Sequence, residues 1–296
     1  APMERTASDY CLRAAQEIFD KTGAEPADVD GIIFATPHPD YSYPGNSSVI
    51  QSALGIPKRC ITVDMPHACT GMIYGFYLAD LFVRAGDCKN VLVCCGDTSS
   101  HHLNPKDRAM RMVIGDGGAA ALVTGGGSVP SQYAFHHDGD GLKYLYTPAS
   151  GERMPRERGV TDIPQTDAEE NVRTLEDEYM DGMEVMRFVM NEVPPRINEV
   201  LDKSGWTHSD VDVYALHQAN DFILKSLARA MKLDKHKVLF DIDGTGNIGG
   251  ASLVLALCHA AEAEHEPWER AVLAGFGSGL SAAAMTTSLA ETRIFH

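Results

Sequence analysis

No stretch of the chain approaches the about 18 consecutive apolar residues that a membrane-spanning helix needs, so no span is expected. There is no C-x-x-C pair of metal-ligand spacing, no low-complexity tract and no long block of like charge. Positive charge is in short supply, with 25 Lys and Arg against 41 Asp and Glu and a formal net charge of −16. A surface that acidic repels nucleic acid and anionic membranes, so neither is expected as a partner. It leaves room for a small basic patch that receives an acidic protein. The seven cysteines are odd in number and include the adjacent pair Cys94 and Cys95, which is no disulfide framework. The opening APMERTASDYCLRAAQEIF is polar and then amphipathic, without the apolar core of a signal peptide. A reducing compartment, the cytoplasm, is the expected location.

What is present is 296 residues, 44% of them hydrophobic, enough to core one large domain or two fused halves. The chain repeats itself. KTGAEPADVDGIIFAT and KSGWTHSDVDVYALHQ each read as a helix end, a turn and a buried strand, the helices spanning 5–22 and 184–204. Gly23 and Gly205 suit helix ends that need a left-handed residue. KNVLVCCGDT (89–98) and RAVLAGFGSG (270–279) are a second pair of strands, at the same offset of roughly 180 residues. Between the paired strands lie two Gly- and Ala-rich helices, 68–86 and 247–263, apolar around much of their circumference and therefore core helices. IGDGGAAALVTGG (114–126) and GSGLSAAAMTTS (277–288) close each half with a strand. The expectation is an α/β protein of two halves related by a pseudo-twofold axis, with mixed sheets and two buried central helices between them. The halves are assigned to 1–126 and 181–296. Residues 127–180, polar and rich in Gly, Pro and charge, are assigned to a linker or cap.

Three residues stand where such a fold places chemistry. Cys69, in DMPHACTGMIYG, lies at the strand-to-helix junction, where free backbone N–H groups and the helix dipole favour a thiolate. A lone cysteine is more often an inert core residue, as Cys94, Cys95 and Cys258 read here. His217, in YALHQAN, ends a strand, and Asn247, in DGTGNIGGAS, leads into the second core helix. Each alone reads as a structural residue, Asn247 as a helix N-cap. Together they occupy strand ends where both repeats converge, a favoured place for small molecules.

The segment DMPHACTGMIYGFYLADLFVRAGDCKNVLVCCGD resembles the active-site segment of β-ketoacyl-acyl-carrier-protein synthase III. DRAMRMVIGDGGAAALV, HQAN, GTGNIGGAS and GFGSG resemble that family's later motifs, in order, over nearly the whole chain. The resemblance implies a thiolase-like fold and a decarboxylative Claisen condensation of an acyl-CoA primer with a malonyl-acyl-carrier-protein or malonyl-CoA extender. Cys69 would carry the acyl group, the backbone N–H groups of Cys69 and Ser278 would form the oxyanion hole, and His217 and Asn247 would bind the extender's thioester carbonyl. It implies no metal or redox cofactor. It also implies a homodimer whose strand near NVLVCCGD, Val91 to Cys95, pairs across the twofold axis. In the loop PHPDYSYPGNSS, Tyr43 falls where the family puts an aromatic at the bottom of the partner's acyl pocket, or else it only packs at the interface. Gly277 and Gly279 would allow the tight turn.

The match has departures. The family has an N-terminal strand and loop before the residues that match APMERTAS, so an incomplete first sheet is expected. Arg108 matches an entrance arginine, but the family's arginine after HQAN is Phe222 here. Lys225, Arg229 and Lys232, spaced along one helix, are candidates to dock an acidic carrier protein, or else form a solvated face. His67 replaces a small residue and either tunes the thiol or packs. Hydroxymethylglutaryl-CoA synthase would need a Glu where FATPHPDYS has Pro37 and His38; a degradative thiolase would need a Cys in GFGSGLS; elongating ketosynthases would have a His in place of Asn247. Another Cys-His-Asn acyltransferase, a polyketide-type ketosynthase and a non-catalytic acyl-binding homologue remain as alternatives.

Overall fold

A computed structural model describes residues 2–127, 129–262 and 267–296. The first half runs α1 (Ala7–Thr22), β1 (Gly31–Ala35), α2 (Asn46–Leu54), β2 (Ile61–Met65), α3 (Gly71–Ala85), β3 (Asn90–Asp97), α4 (Arg108–Arg111) and β4 (Gly117–Thr124). β5 (Gln132–His137) follows, and then a segment with only two-residue strands: β6 (Leu145–Tyr146) paired with β9 (Tyr179–Met180), and β7 (Gln165–Thr166) with β8 (Val172–Arg173). The second half comprises α5 (Gly182–Ser204), β10 (Val213–Leu216), α6 (Asp221–Ala230), α7 (Ile242–Thr245), α8 (Ser252–Glu262), β11 (Ala271–Gly277) and β12 (Ser281–Thr287). Residue 263 of the helix read over 247–263 lies outside the described residues.

The sheets have the orders β2-β1-β3-β4 and β10-β11-β12-β5. In each, two parallel strands are followed by an antiparallel third, β1-β3-β4 in one and β10-β11-β12 in the other, which is the internal repeat made spatial. The paired helices α1 and α5 end at Gly23 and Gly205 with φ of +76° and +68°, the left-handed geometry that glycine adopts without cost. α3 packs on β1 and β3 of the first sheet and on β11 and β12 of the second, and α8 on β10, β11 and β4.

Strand alternation explains why the strands read as continuous apolar runs. Ile33 and Val93 face inward, sharing a core with Met72, Ile73, Leu253, Val213 and Leu273. Ile32, Phe34 and Leu92 face outward onto Ala7, Cys11 and Ala15 of α1. On the other side, Tyr214, Leu216 and Val272 face Val189, Val193 and Ile197 of α5. The molecule is a stack of helices, sheet, core helices, sheet and helices. No described helix is long and apolar enough to cross a membrane.

Three expectations change, while the first sheet is incomplete as expected. The segment 127–180 is not wholly a linker, because β5 pairs along β12 and completes the second sheet. Among the described residues β4 has no strand on its outer side, where its counterpart β12 has β5. β3 cannot pair across a twofold axis, since β1 and β4 flank it on both sides and Val91 to Cys95 are buried. β2 and β4 are the edges of this sheet, and on β2 Ile61 is 37% exposed and Thr62 and Asp64 are also exposed. Finally, α6 ends at Ala230, so Lys232 lies beyond the helix in a left-handed conformation (φ +54°) and shares no helix face with Lys225 and Arg229.

Candidate active site

Cys69 lies in the turn before α3, not within it, since the helix begins at Gly71 with Thr70 as its N-cap. The turn is held against the end of β11. Thr70 Oγ1 and Ser281 Oγ lie 3.1 Å apart, and Ser281 Oγ donates to the Ser278 carbonyl at 2.7 Å. A Cβ on Gly277 would fall 2.6 Å from Cys69 Sγ, so this glycine serves close approach rather than turn geometry. Gly279 is the residue with the unusual backbone, at φ +137°. The backbone N–H groups of Ser278 and of Cys69 itself are directed at the sulfur.

His217 follows β10 and is 1% exposed. Its Nδ1 lies 2.8 Å from Ser252 Oγ, and its ring stands edge-on to Phe276 at 5.3 Å between centroids. Ser252 Oγ also lies 2.7 Å from the Gly249 carbonyl and accepts the Gln218 N–H at 3.1 Å. Asn247 joins the halves through its backbone, donating to the Val113 carbonyl at 2.7 Å while its own carbonyl accepts the Gly115 N–H at 2.9 Å. Its side-chain Oδ1 accepts the Gly249 N–H at 3.0 Å. That bond closes a local Asn turn before the helical turn whose N-cap is Ile248, and among the described residues no hydrogen bond is made by Nδ2.

A polar cluster that the sequence did not signal stands beside these residues. Cys95 and Asp97, two apart on β3, share a face, and Cys95 Sγ sits against Gly250 while Asp97 Oδ2 sits against Gly249. Asp97 Oδ1 is 3.2 Å from Nδ1 of His38, and Nε2 of His38 is 3.1 Å from Oε1 of Glu178, which enters from the cap segment. Ser99 Oγ bridges the two carboxylates at 2.7 Å and 3.2 Å. His102 stacks on His38 at 4.0 Å between centroids. An Asp closing the buried apolar strand β3 is the sequence feature that could have found it.

The charges follow from this packing. Burial works against a charged His38, yet its bonds to Asp97 and Glu178 outweigh it and raise its pKa to about 9. Burial, then the neighbouring His38, pushes His102 down to about 4. Burial also takes His217 down to about 4, the Gly249 backbone and Asp97 offsetting only part, so this ring is neutral at ordinary pH. Cys69 is pushed up to about 12 by burial and then by Asp97 and Glu178, against the pull of the two N–H groups. The expected thiolate is therefore a neutral thiol at rest, because enclosure and two carboxylates outweigh the helix end. Below a raised pKa the thiolate fraction grows with pH. Alkylation of Cys69 by iodoacetamide should accelerate about tenfold per pH unit between roughly pH 7 and 10, without a plateau. Peptide mapping isolates Cys69 from the other cysteines, and a plateau near pH 8 would contradict this account.

The other predicted residues lie outside this knot. Tyr43 is 87% exposed and Phe222 71% exposed; Arg108, Lys225, Arg229 and Lys232 are exposed. Lys225 pairs with Asp221 on its own helix, so part of its charge is already matched. His67 packs edge-on against Tyr74 at 4.4 Å, and burial lowers its pKa. Among the described residues, no group of three or more His, Cys, Asp or Glu side chains is placed to hold a metal ion.

The sequence model described as 3-Oxoacyl-[acyl-carrier-protein (ACP)] synthase III matches residues 63–140, and that of the synthase III C terminal matches 201–289. A β-ketoacyl-[acyl-carrier-protein] synthase III of Caldanaerobacter subterraneus is 35% identical over 265 residues, 88% of this chain and 76% of that protein. A crystal structure of a 3-oxoacyl-(acyl-carrier-protein) synthase III superposes with a TM-score of 0.92 at 33% identity, covering 97% of this chain and 86% of that one. A 3-oxoacyl-(acyl-carrier-protein) synthase of Burkholderia xenovorans gives 0.90 at 29% identity, covering 99% and 83%. The two matched regions contain Cys69 on one side and His217, Asn247 and Ser278 on the other. With that agreement along both halves, the chain belongs to the β-ketoacyl-[acyl-carrier-protein] synthase III family.

Proposed function

We propose that the chain condenses an acyl-CoA primer with a malonyl-acyl-carrier-protein extender through an acyl group on Cys69. What supports this is that Gly277 at the end of β11 abuts Cys69, that His217 bonds to Ala274 of the same strand, and that the Asn247 backbone bonds across to Val113 and Gly115 of the first half. The Cys69 sulfur attacks the primer carbonyl, the S–C bond to CoA breaks, and CoA leaves with a proton. The N–H groups of Cys69 and Ser278 hold the oxyanion. In the second step His217 and Asn247 Nδ2 donate to the malonyl thioester carbonyl. The bond to the carboxylate breaks, CO2 leaves, and its electron pair becomes an enolate that attacks the acyl carbon and expels Cys69.

Ser252 suits both steps. With its hydroxyl hydrogen on the Gly249 carbonyl, Oγ accepts Nδ1–H and the Nε2 of His217 is a base for the thiol. With that hydrogen turned to Nδ1, Nε2 carries its own hydrogen and donates to the extender. No metal or redox group enters this sequence. Intact-protein mass after incubation with acyl-CoA should show one acyl addition on Cys69, discharged by malonyl-acyl-carrier-protein with release of CO2. No addition with any acyl-CoA would defeat the reading.

The exposed Arg108 and the α6 residues Lys225 and Arg229 are the proposed landing points for the acidic carrier protein, with Lys232 just past the helix and Phe222 beside the entrance. The seven free cysteines suit a reducing cytoplasm.

The chain is proposed to form a homodimer through β2. On that edge Ile61 is 37% exposed and Thr62 and Asp64 are exposed. Such an edge invites pairing. The Tyr43 loop is tied to the same strand by the Ser47 N–H to Asp64 Oδ1 at 3.0 Å, which puts Tyr43 where it can reach a partner's site. Ile61 bonds toward β1, its N–H on the Asp30 carbonyl at 2.8 Å, so the N–H of Thr62 points outward. Light scattering should give a particle of twice 32.1 kDa, and Thr62→Pro, which removes that outward donor, should shift it toward monomer. A wild-type monomer at micromolar concentration would rule the dimer out.

A further inference from the structure

The cluster of His38, Asp97, Ser99 and Glu178 has no part in the chemistry above, yet it is built into the same crevice. Asp97 reaches it from the end of β3, with Oδ2 against Gly249, between Asn247 and the Ser252 that positions His217. Glu178 reaches it from the cap, its backbone N–H fixed on the His102 carbonyl at 3.1 Å. The side chains of His38, Asp97 and Glu178 are only 11%, 7% and 15% exposed. Their internal bonds occupy one oxygen of each carboxylate, Oδ1 of Asp97 and Oε1 of Glu178. Among the described residues, no hydrogen bond reaches Asp97 Oδ2 or Glu178 Oε2. A Cβ on Gly250 would meet both the carbonyl of Ala68, the residue before Cys69, at 2.7 Å and Cys95 Sγ at 2.9 Å, so the end of β3 that carries Asp97 lies against the Cys69 turn.

From this arrangement, and resting on the acyl-Cys69 reading above, we infer that the acyl end of the site selects primers carrying a hydrogen-bond donor, a hydroxyl or an ammonium, over plain alkyl chains. The two open carboxylate oxygens are acceptors only. A donor-bearing acyl group satisfies them as it displaces their water. An alkyl chain strips the water and returns nothing, which is the costly case for a buried charge. An acyl group ending in a carboxylate fares worse. The cluster holds two carboxylates against one imidazolium, and His38 already spends both ring nitrogens on them. The neutral His102 stacked on His38 closes the far side with a ring instead of a further charge.

The test is the rate of Cys69 acylation, read by intact mass, with butyryl-CoA, 3-hydroxybutyryl-CoA, a 3-aminoacyl-CoA and succinyl-CoA. Expected is a preference for the hydroxy- or aminoacyl thioester over butyryl of about 10- to 100-fold, with succinyl slowest. The relative rates of the first two tell a hydroxyl from an ammonium. Glu178→Leu should reverse the order in favour of butyryl. Glu178→Gln, which keeps the shape of the side chain, should at least lower the aminoacyl preference, and thermal melting verifies that both variants fold. Butyryl-CoA as the fastest wild-type substrate would overturn the inference while leaving the condensing reaction intact, as would an unchanged order in both variants. Failure of every thioester to acylate Cys69 would remove the underlying reading and this one with it.

Discussion

His217→Ala and Asn247→Ala are each expected to slow malonyl decarboxylation by about 10²- to 10³-fold while Cys69 still takes up an acyl group, more slowly in His217→Ala, which also lacks the base for the thiol, and Cys69→Ser is expected to take up none. The split follows from where each group points. Asn247 Oδ1 is tied down by the Gly249 N–H at 3.0 Å, so only Nδ2 is available and it can only donate. His217 is neutral, its pKa held near 4 by burial, so it donates without carrying charge. Both aim at an oxygen that becomes negative only when CO2 departs, and one such preorganised donor contributes about 10²- to 10³-fold. The two act on one oxygen, so the double variant should fall short of the product of the single effects. The pH sign is also fixed: a His neutral above about 4 imposes no loss of decarboxylation as pH rises from 5 to 8. CO2 release measured beside intact mass separates the steps. Normal decarboxylation in both alanine variants would refute the assigned roles.

The proposed triad stood out in the sequence because Cys69 and His217 follow apolar strands and Asn247 lies in a Gly-rich turn before an apolar helix. His217 ends VYAL and Asn247 precedes the Gly-rich start of α8. The cluster around His38 was not legible. Its members at 38, 97 and 178 come from a loop, a strand end and the cap, and each alone reads as an ordinary polar residue. The state of the Cys69 thiol was misread for a related reason. A helix start is visible in sequence, whereas burial and through-space carboxylates are not. Strand order was the other hidden quantity. Val91 to Cys95 form a continuous apolar run, the mark of a strand buried on both faces and flanked on both sides, and β3 is that strand. Sequence order says nothing of which neighbour is the edge, and the mixed ITVDM turned out to be an edge strand.

Gly277→Ala should abolish most acylation, by about 10²- to 10³-fold, in a protein that still folds. β11 is buried along its length and its register with β12 ends at Gly277, paired with Ser281. A methyl group here would lie 2.6 Å from Cys69 Sγ and 2.8 Å from its Cβ, closer than nonbonded carbon and sulfur tolerate. Neither neighbour yields easily. Cys69 is carried by a turn fixed through Thr70 to Ser281, and Ser281 is bonded to the Ser278 carbonyl. Relief must come from turning the Cys69 side chain away or from pushing β11 outward. Either movement parts the sulfur from the Ser278 N–H that follows Gly277 directly in the chain. The substitution thus disturbs nucleophile and oxyanion donor together, without removing a polar atom from either. Its fold should survive because the overlap is confined to one methyl at the strand's end, so a near-native melting profile with lost acylation is the expected pair of results. Acylation within about threefold of wild type would mean that the turn accommodates the methyl and that Gly277 does not set the approach of Cys69 to the oxyanion site.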